Sequence, residues 1–245
     1  LLVKENGIIS GIEIAKEIFK TYDNSIEFIA NLKDGEKVKI GDIAFTVHGS
    51  SRTLLTIERL VLNVMQRMSA ISTLTDKFVQ ELKGFKTKVL DTRKTTPLNR
   101  FLEKQAVKIG GGHNHRFGLY DMIMLKDNHI DFAGGIKKAI IKANDYIDTE
   151  NLNLKIEIET RNLQELKEVL KCGGVDRIML DNFTFDDLKL AVELINGRFE
   201  SEASGGINLK TIKDYALSGV DYISVGALTH SIKNMDLSLK AINQL

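Results

Sequence analysis

Residues 89–131 have the sequence VLDTRKTTPLNRFLEKQAVKIGGGHNHRFGLYDMIMLKDNHID. Basic side chains outnumber acidic ones here, although the net charge of the whole chain is only +1. The basic residues are Arg93, Lys94, Arg100, Lys104, Lys108, His113, His115, Arg116, Lys126 and His129. The acidic ones are Asp91, Glu103, Asp121, Asp127 and Asp131. Because the excess of positive charge is confined to residues 89–131, the explanation must lie in the function or structure of this stretch.

Two short apolar runs in this stretch are each followed by basic residues. Residues 89–90 precede Arg93 and Lys94, and residues 122–125 precede Lys126. Short apolar runs bounded by turns are typical of buried parallel strands. Ligand sites in α/β proteins lie at the carboxyl ends of such strands, so we expect these cations to face a ligand.

A helix is predicted between the two runs. Thr96 suits the N-cap and Pro97 the first helical position, and the glycines at 110–112 end the pattern. Three basic residues fall on the face opposite the apolar stripe, where we expect a solvated surface: Arg100, Lys104 and Lys108.

Length and composition exclude several classes of protein. With 245 residues, 43% hydrophobic and 27% charged, the chain suits a globular protein of one or two domains. The balanced charge disfavours a general nucleic-acid binder, and no apolar run has the length of a membrane span. The single cysteine, Cys172, cannot form an internal disulfide, and we expect a small buried side chain in a cytoplasmic protein. The chain opens in a predicted strand without an initiator Met, so we expect a native segment to precede it.

The first third of the chain predicts a small α/β domain. A helix over residues 12–19 is followed by strands between residues 25 and 48, with turns at 34–35 and 41–42, which indicates an antiparallel sheet packed on a helix. From Ser50 the period is helical, and we expect a second helix over residues 71–82. Arg59 and Arg67 lie on these helices, where a solvated arginine is the ordinary expectation.

After residue 88 the chain repeats strand–turn–helix units. The repeat is 22 to 33 residues, which suits successive βα units. The predicted strand ends are Arg93, Lys126, Glu159, Asp181, Ser204 and Gly226. With a further short strand near residues 112–117, about seven strands predict a closed or nearly closed α/β barrel. Thr184 and Asn208 are predicted helix caps, and residues 236–245 a final amphipathic helix.

Three chemical groups follow from the strand ends. The cationic group suits a small polyanion, because arginine and lysine bind carboxylates and phosphates: Arg93, Lys94, His115, Arg116 and Lys126. The acidic group is Glu157, Glu159 and Asp181, which can hold sugar hydroxyls or Mg²⁺ or stabilise an oxocarbenium-like centre. The third group has small residues before helices, which suit a phosphate: Ser204, Gly205, Gly206, Ser224, Val225 and Gly226.

Each group also has a purely structural interpretation. The cations can point outward and pair with neighbouring aspartates, and Glu157 and Glu159, which alternation places on one strand face, can pair with Lys126 or Arg177 inside a barrel. His113 and His115 could bind a metal, but no further ligand has zinc spacing. A sugar-phosphate aldolase or isomerase with Lys126 as a Schiff-base amine, and a non-catalytic binding module, stay open at this point.

The motifs resemble one family along the whole chain. LDTRKTTP, GGGHNHRFGLYDMIMLKDNHI, KIEIET, MLDNF, EASGGI and SVGALTHS resemble the quinolinate phosphoribosyltransferases, also called carboxylating nicotinate-nucleotide pyrophosphorylases. The N-terminal pieces DGEKVKIGD and ERLVLNVMQRMSAIST match the same family. Three departures are Leu98, where the family usually has glycine, Gln105, where it usually has tyrosine, and a polar strand at residues 200–201.

The resemblance implies fold and activity. The expected architecture is an N-terminal α/β sandwich at residues 1–86, an incomplete α/β barrel at 87–231 and a C-terminal helix at 232–245 that returns to the first domain. The expected reaction joins quinolinate to 5-phosphoribosyl 1-pyrophosphate with Mg²⁺ and gives nicotinate mononucleotide, pyrophosphate and CO₂, without nucleic acid or membrane. A related enzyme using another base, such as nicotinate, is the alternative.

The resemblance also implies a role for each matching residue. The quinolinate pocket would be lined by Arg93, Lys94, Thr95, His115, Arg116 and Lys126. Glu159 and Asp181 would hold the ribose and, through the substrate, the metal. The phosphate would lie at Ser204, Gly205, Gly206, Val225 and Gly226. Arg59 would reach the site from the partner subunit of a homodimer, which a hexamer could also contain.

Overall fold

The computed structural model describes residues 1–242. Its strands are β1 (Leu2–Val3), β2 (Gly7–Ile8), β3 (Glu27–Ala30), β4 (Lys37–Val38), β5 (Phe45–His48), β6 (Lys88–Leu90), β7 (Ile123–Leu125), β8 (Ile156–Thr160), β9 (Arg177–Asp181), β10 (Glu200–Ser204), β11 (Tyr222–Ser224) and β12 (Leu237–Ser238). Its helices are α1 (Ile12–Tyr22), α2 (Ser51–Glu81), α3 (Arg100–Ile109), α4 (Asp127–Ala133), α5 (Ile136–Thr149), α6 (Leu163–Cys172), α7 (Phe185–Ile195), α8 (Ile212–Ala216) and α9 (Ala227–His230). Among these described helices, none is long and apolar enough to cross a membrane.

The chain forms two compact units that interleave along the sequence. The first contains Leu1–Lys77, Lys94–Gly112 and the described residues from Ala227 onward, and the second contains Phe78–Arg93 and His113–Gly226. The predicted domains at 1–86, 87–231 and 232–245 follow chain order instead. The main difference is that the segment with α3 belongs to the first unit.

The first unit is built from helices and three small antiparallel sheets. The strands pair as β1 with β12, β2 with β4 and β3 with β5. Its core includes the rings of Phe19, Phe28 and Phe45, and the last two have centroids 4.5 Å apart. The predicted antiparallel strands and their helix are therefore present, as three separate pairs of strands.

The helices of the first unit differ from prediction in two places. α2 is a single helix of 31 residues, so the predicted division before Ile71 is wrong; no glycine or proline interrupts it. α3 begins at Arg100 rather than Pro97. Leu98 interrupts the predicted start because it has a positive φ of 66° and a fully exposed side chain.

Packing of α3 against α2 explains the glycines that follow α3. A Cβ at Gly110 would collide with the Ser72 carbonyl oxygen and with Thr75, so only glycine allows this approach. The Ser72 hydroxyl donates to the Ala106 carbonyl at 2.7 Å. Lys104 is 1% exposed, which contradicts the predicted solvated surface at that position.

The second unit contains a six-stranded parallel sheet in the order β6-β11-β10-β9-β8-β7. The predicted seventh strand is reduced to a single parallel bridge between Leu90 and His113. Each strand of this sheet is followed in the chain by a helix, as the 22- to 33-residue repeat predicts, although α3, which follows β6, belongs to the first unit. The sheet confirms an incomplete barrel, whose carboxyl edge carries the predicted site residues of this unit.

The last described residues correct one prediction. Residues 237–238 form β12, which pairs with β1 through Leu2 opposite Ser238 and Val3 opposite Leu237. The predicted amphipathic helix is therefore wrong over residues 236–242. The rest of that prediction, residues 243–245, lies outside the described part of the chain.

Candidate active site

The predicted strand ends of the second unit lie at the carboxyl edge of its sheet. Lys126 directly follows β7, Glu159 is the fourth residue of β8, and Asp181 and Ser204 are the last residues of β9 and β10. Asp181 and Ser204 are paired in the register of these strands. The parallel sheet thus brings together residues that are up to 78 positions apart in the sequence.

Lys126, Glu159 and Asp181 form what we call the rim group. The Lys126 ammonium lies 3.9 Å from a Glu159 carboxylate oxygen, and the two side chains are 48% and 13% exposed. Partial burial, and then the charge of Asp181, raise the pKa of Glu159 above its usual value. Two carboxylates that repel each other beside an ammonium favour a ligand or ion with positive charge.

Hydrogen bonds with the side chains of His129 and Asn182 fix the rim group. The Lys126 N–H donates to Nδ1 of His129 at 2.9 Å, so this histidine orients the start of α4. The amide of Asn182 donates to an Asp181 carboxylate oxygen at 2.6 Å. The sequence analysis missed both roles. The signal for Asn182 was its position directly after a strand end, in MLDNF.

Gly205 and Gly206 follow β10 with positive φ values of 105° and 61°. A Cβ at Gly205 would collide with the Asn182 side chain, whereas a Cβ at Gly206 would meet open space. The close approach at Gly205 therefore requires glycine. It packs the turn at Gly205 and Gly206, which is predicted to bind phosphate, against the Asn182 side chain that contacts Asp181.

The other predicted phosphate residues lie at the end of β11. Ser224 is its last residue, and Val225 and Gly226 follow. The Val225 N–H donates to the Leu90 carbonyl at 2.9 Å. That N–H is therefore committed to the sheet, and we place no phosphate contact on it.

Two arginines lie close together in the same unit. Burial lowers the pKa of Arg116, and the nearby charge of Arg93 lowers it further. The Arg116 guanidinium donates to the Met122 carbonyl at 3.1 Å. Two guanidinium groups that repel each other are typical of a site that binds an anion.

His115 lies deeper than its prediction as a pocket-lining cation suggests. It is 7% exposed, and its Nε2 lies 2.9 Å from a Glu157 carboxylate oxygen and 3.5 Å from one of Glu202. We call His115, Glu157 and Glu202 the interior group. Glu157 was predicted as an acidic strand residue, but Glu202 was missed because no partner is visible in the sequence.

Arg177 accompanies the interior group. Its guanidinium lies 3.2 Å from Glu202 and 3.0 Å from Glu200. It also stacks over the Tyr222 ring at 4.1 Å. These contacts explain why the strand at residues 200–201 is more polar than the family pattern, since Glu200 pairs with a buried arginine.

The remaining predicted residues, Arg59, Lys94 and Thr95, belong to the first unit. Lys94 and Arg59 are exposed, and Thr95 accepts a hydrogen bond from Arg100 at 3.1 Å. Their relation to the rim group is a prediction from the resemblance.

Arg67 organises the segment that carries Lys94. Its guanidinium donates to Glu103 at 2.8 Å, to the Thr96 hydroxyl at 3.0 Å and to the Thr229 carbonyl at 2.7 Å. The Thr229 hydroxyl donates to the Lys94 carbonyl at 2.9 Å. Arg67 therefore holds three parts of the first unit together through hydrogen bonds, whereas its helical position predicted a solvated arginine.

Comparison with known proteins matches one family over almost the whole chain. Residues 1–69 match the N-terminal domain, and residues 71–240 the C-terminal domain, of quinolinate phosphoribosyl transferase. A relative named quinolinate phosphoribosyltransferase [decarboxylating] 2, mitochondrial, from Nicotiana glauca is 45% identical over 100% of this chain and 73% of its own length. The probable nicotinate-nucleotide pyrophosphorylase [carboxylating] of Bacillus subtilis is 43% identical over 98% of this chain and 81% of its own.

Solved structures give the same result. The crystal structure of NadC from Streptococcus pyogenes has a TM-score of 0.92 and 41% identity, covering 98% of this chain and 84% of that one. The nicotinate-nucleotide pyrophosphorylase of Francisella tularensis has a TM-score of 0.91 and 41% identity, over 97% and 83%. Sequence motifs, parallel sheet and strand-end chemistry agree with these matches, and the chain belongs to the quinolinate phosphoribosyltransferase family.

Proposed function

We propose that this chain joins quinolinate to 5-phosphoribosyl 1-pyrophosphate and releases pyrophosphate and CO₂, giving nicotinate mononucleotide. One structural observation supports this proposal in addition to the family match. Arg93, Arg116 and Lys126 lie in the same unit as the carboxylates Glu159 and Asp181, at the carboxyl edge of one parallel sheet. The arrangement suits a substrate pair with an aromatic dianion and a sugar phosphate.

The cations would bind quinolinate through its two adjacent carboxylates. Arg93 and Arg116 repel each other without a ligand, and an anion between them would relieve that repulsion. Lys126 completes the part of the proposed pocket that the second unit contains. Lys126 lies at the boundary with the acids, because its ammonium is 3.9 Å from Glu159.

The acids would act on the ribose. The quinolinate ring nitrogen attacks the anomeric carbon, a carbon–nitrogen bond forms, and the bond to pyrophosphate breaks. Positive charge builds on the ribose during this step, and the carboxylates of Glu159 and Asp181 stabilise it. The carboxyl group next to the ring nitrogen then leaves as CO₂, and the electron pair left on the ring carbon takes a proton. No nucleophilic side chain is needed.

The rim carboxylates also fit Mg²⁺ held together with the pyrophosphate substrate. Mg²⁺ prefers carboxylate, phosphate and water oxygens, and mutual repulsion between Glu159 and Asp181 would favour such an ion. The ion would neutralise the leaving pyrophosphate. The chain's own residues orient the ribose, and Ser204, Gly205, Gly206 and Gly226 would bind the 5′-phosphate.

The active site would be shared in a homodimer. Arg59 and Leu55 lie four residues apart on α2, and Leu55 is 71% exposed. A large exposed apolar side chain beside an arginine is typical of a subunit interface. We place Arg59 over the partner's site and the enzyme in the cytoplasm, where its single cysteine, Cys172, suits a reducing compartment.

The deciding assay follows CO₂ from quinolinate labelled in the carboxyl group next to the ring nitrogen. Release should require both 5-phosphoribosyl 1-pyrophosphate and Mg²⁺, and nicotinate should not replace quinolinate. Activity with nicotinate alone would select the related transferase. Trapping of a substrate on Lys126 by borohydride would select the aldolase interpretation.

Subunit mixing tests the shared site. Arg59→Ala and Lys126→Ala should each be inactive, yet a mixture that exchanges subunits should recover about a quarter of the wild-type sites, because half of the dimers are mixed and each has one intact site. A mixture that stays inactive after proven exchange would place Arg59 outside the partner's site.

A further inference from the structure

The interior group brings two carboxylates and one imidazole together inside the second unit. Glu157 and Glu202 are 0% exposed, and His115 is 7% exposed. One ligand-type atom from each residue lies within 4.8 Å of the others. The proposed reaction uses neither carboxylate, so this burial of charge requires another explanation.

Hydrogen bonds assign the protonation state of His115. Its Nδ1 accepts the backbone N–H of Arg116 at 2.7 Å, so this nitrogen carries a lone pair. The ring proton then lies on Nε2, which faces the Glu157 carboxylate at 2.9 Å. The backbone N–H of His115 donates to Asp91 at 2.8 Å. A second ring proton would break the contact with Arg116, so the ring is neutral.

Few positive charges face the two carboxylates once His115 is neutral. Arg177 lies 3.2 Å from Glu202 but also pairs with Glu200. The charge of Arg116 also acts on Glu157, and the Ser224 hydroxyl donates to Glu202.

We propose that the interior group positions Arg116: neutral His115 holds the Arg116 backbone through Nδ1, while its Nε2 faces the buried carboxylates of Glu157 and Glu202. In this arrangement His115 is a positioning residue and does not bind quinolinate as a cation. The inference rests on the proposed function in one respect, the binding of quinolinate by Arg116. The protonation state itself does not depend on the substrate.

A divalent metal is the competing occupant of the same three residues. One histidine and two carboxylates can bind such an ion. Arg177, however, already places a positive charge 3.2 Å from Glu202. We therefore propose no metal here and make metal binding an outcome of the test.

The first experiment is ¹⁵N NMR of the full chain labelled at its five histidines. The variant His115→Asn identifies the His115 signals. We expect a neutral ring with its proton on Nε2 and no titration between pH 5.5 and 8.5. Formation of an imidazolium in that range would overturn the proposal. So would a change in the His115 signals on addition of one equivalent of Zn²⁺, which would indicate a metal site.

The second experiment separates the two ring nitrogens by kinetics. In His115→Asn the amide oxygen can replace Nδ1 as acceptor, whereas in His115→Gln the amide nitrogen can replace Nε2 as donor. We expect His115→Asn to raise the KM for quinolinate less than about fivefold and His115→Gln to raise it more than about tenfold. The KM for the sugar phosphate should change little in both. An equal rise in both variants would show that His115 binds quinolinate directly.

If the wild-type enzyme releases no CO₂ from quinolinate, the proposed function fails, but the NMR result still decides the state of His115.

Discussion

The rim group and the interior group contain the same kinds of side chain in different surroundings. Glu159 in the rim and Glu157 in the interior are two residues apart on β8. Glu159 is partly exposed and faces Lys126, whereas Glu157 is fully buried and faces His115. Depth along one strand thus separates a carboxylate available to a substrate from one whose pKa burial raises to about 7.

Substitutions in the two groups should therefore affect different properties of the protein. Changes in the rim should reduce activity and leave stability unchanged, because these side chains are partly exposed to solvent and belong to the proposed substrate site. Changes in the interior should alter how stability depends on pH, because the folded state binds protons there more tightly than the unfolded state.

The largest effect is expected for Lys126→Ala. Its ammonium lies 3.9 Å from Glu159, and under the proposed function its loss removes a charge from beside the reacting groups. We expect turnover to fall at least about 100-fold with an unchanged melting temperature. Lys137→Ala, at an exposed position on α5, is the control and should keep wild-type turnover. Near-normal turnover of Lys126→Ala would move the chemistry away from the rim.

An intermediate effect is expected for Glu202→Gln, on the pH dependence of stability. Because burial raises the pKa of Glu202 to about 8, deprotonation destabilises the fold as pH rises from about 4.5 towards 8. The variant cannot deprotonate, so its melting temperature relative to wild type should increase from pH 5 to pH 8.

The exposed carboxylate of Glu193 provides the control for that experiment. Glu193→Gln should follow the wild-type curve at every pH. A Glu202→Gln curve parallel to wild type would mean that Glu202 stays ionised in the folded protein, and the contrast between rim and interior would disappear.

The smallest effect is expected at Leu98, which belongs to neither group. Its φ of 66° is unfavourable for leucine by about 1 kcal/mol, and glycine adopts it freely. Glycine also gains freedom in the unfolded chain, so Leu98→Gly should raise the melting temperature by no more than a few degrees. Leu119→Gly, at another exposed leucine without positive φ, should lower it. A lower melting temperature for both would show that Leu98 is not strained.

The sequence predicted the strand ends because their signal is local. Apolar runs followed by polar residues mark Lys126 and Asp181, and parallel pairing then places these residues at one edge. Thr184 was also predicted correctly as a cap, since its hydroxyl accepts the Asp187 N–H. The predicted cap Asn208 lies ahead of α8, which begins at Ile212.

The sequence could not predict features that depend on distant partners. Residues 237–238 have helical spacing with their neighbours, but they pair with β1 at the other end of the chain. Lys104 falls on the polar face of α3 and is buried by tertiary packing. Alternation correctly placed Glu157 and Glu159 on one face, but only the register with β9 and β10 decides which one is buried.

The central claim is that the rim carboxylates serve the sugar phosphate and the cations serve quinolinate. Calorimetry of Asp181→Asn with each ligand tests it most directly. We expect affinity for 5-phosphoribosyl 1-pyrophosphate with Mg²⁺ to fall at least about tenfold, as for loss of a charged contact, and affinity for quinolinate to stay within about twofold. Equal losses for both ligands would contradict the account.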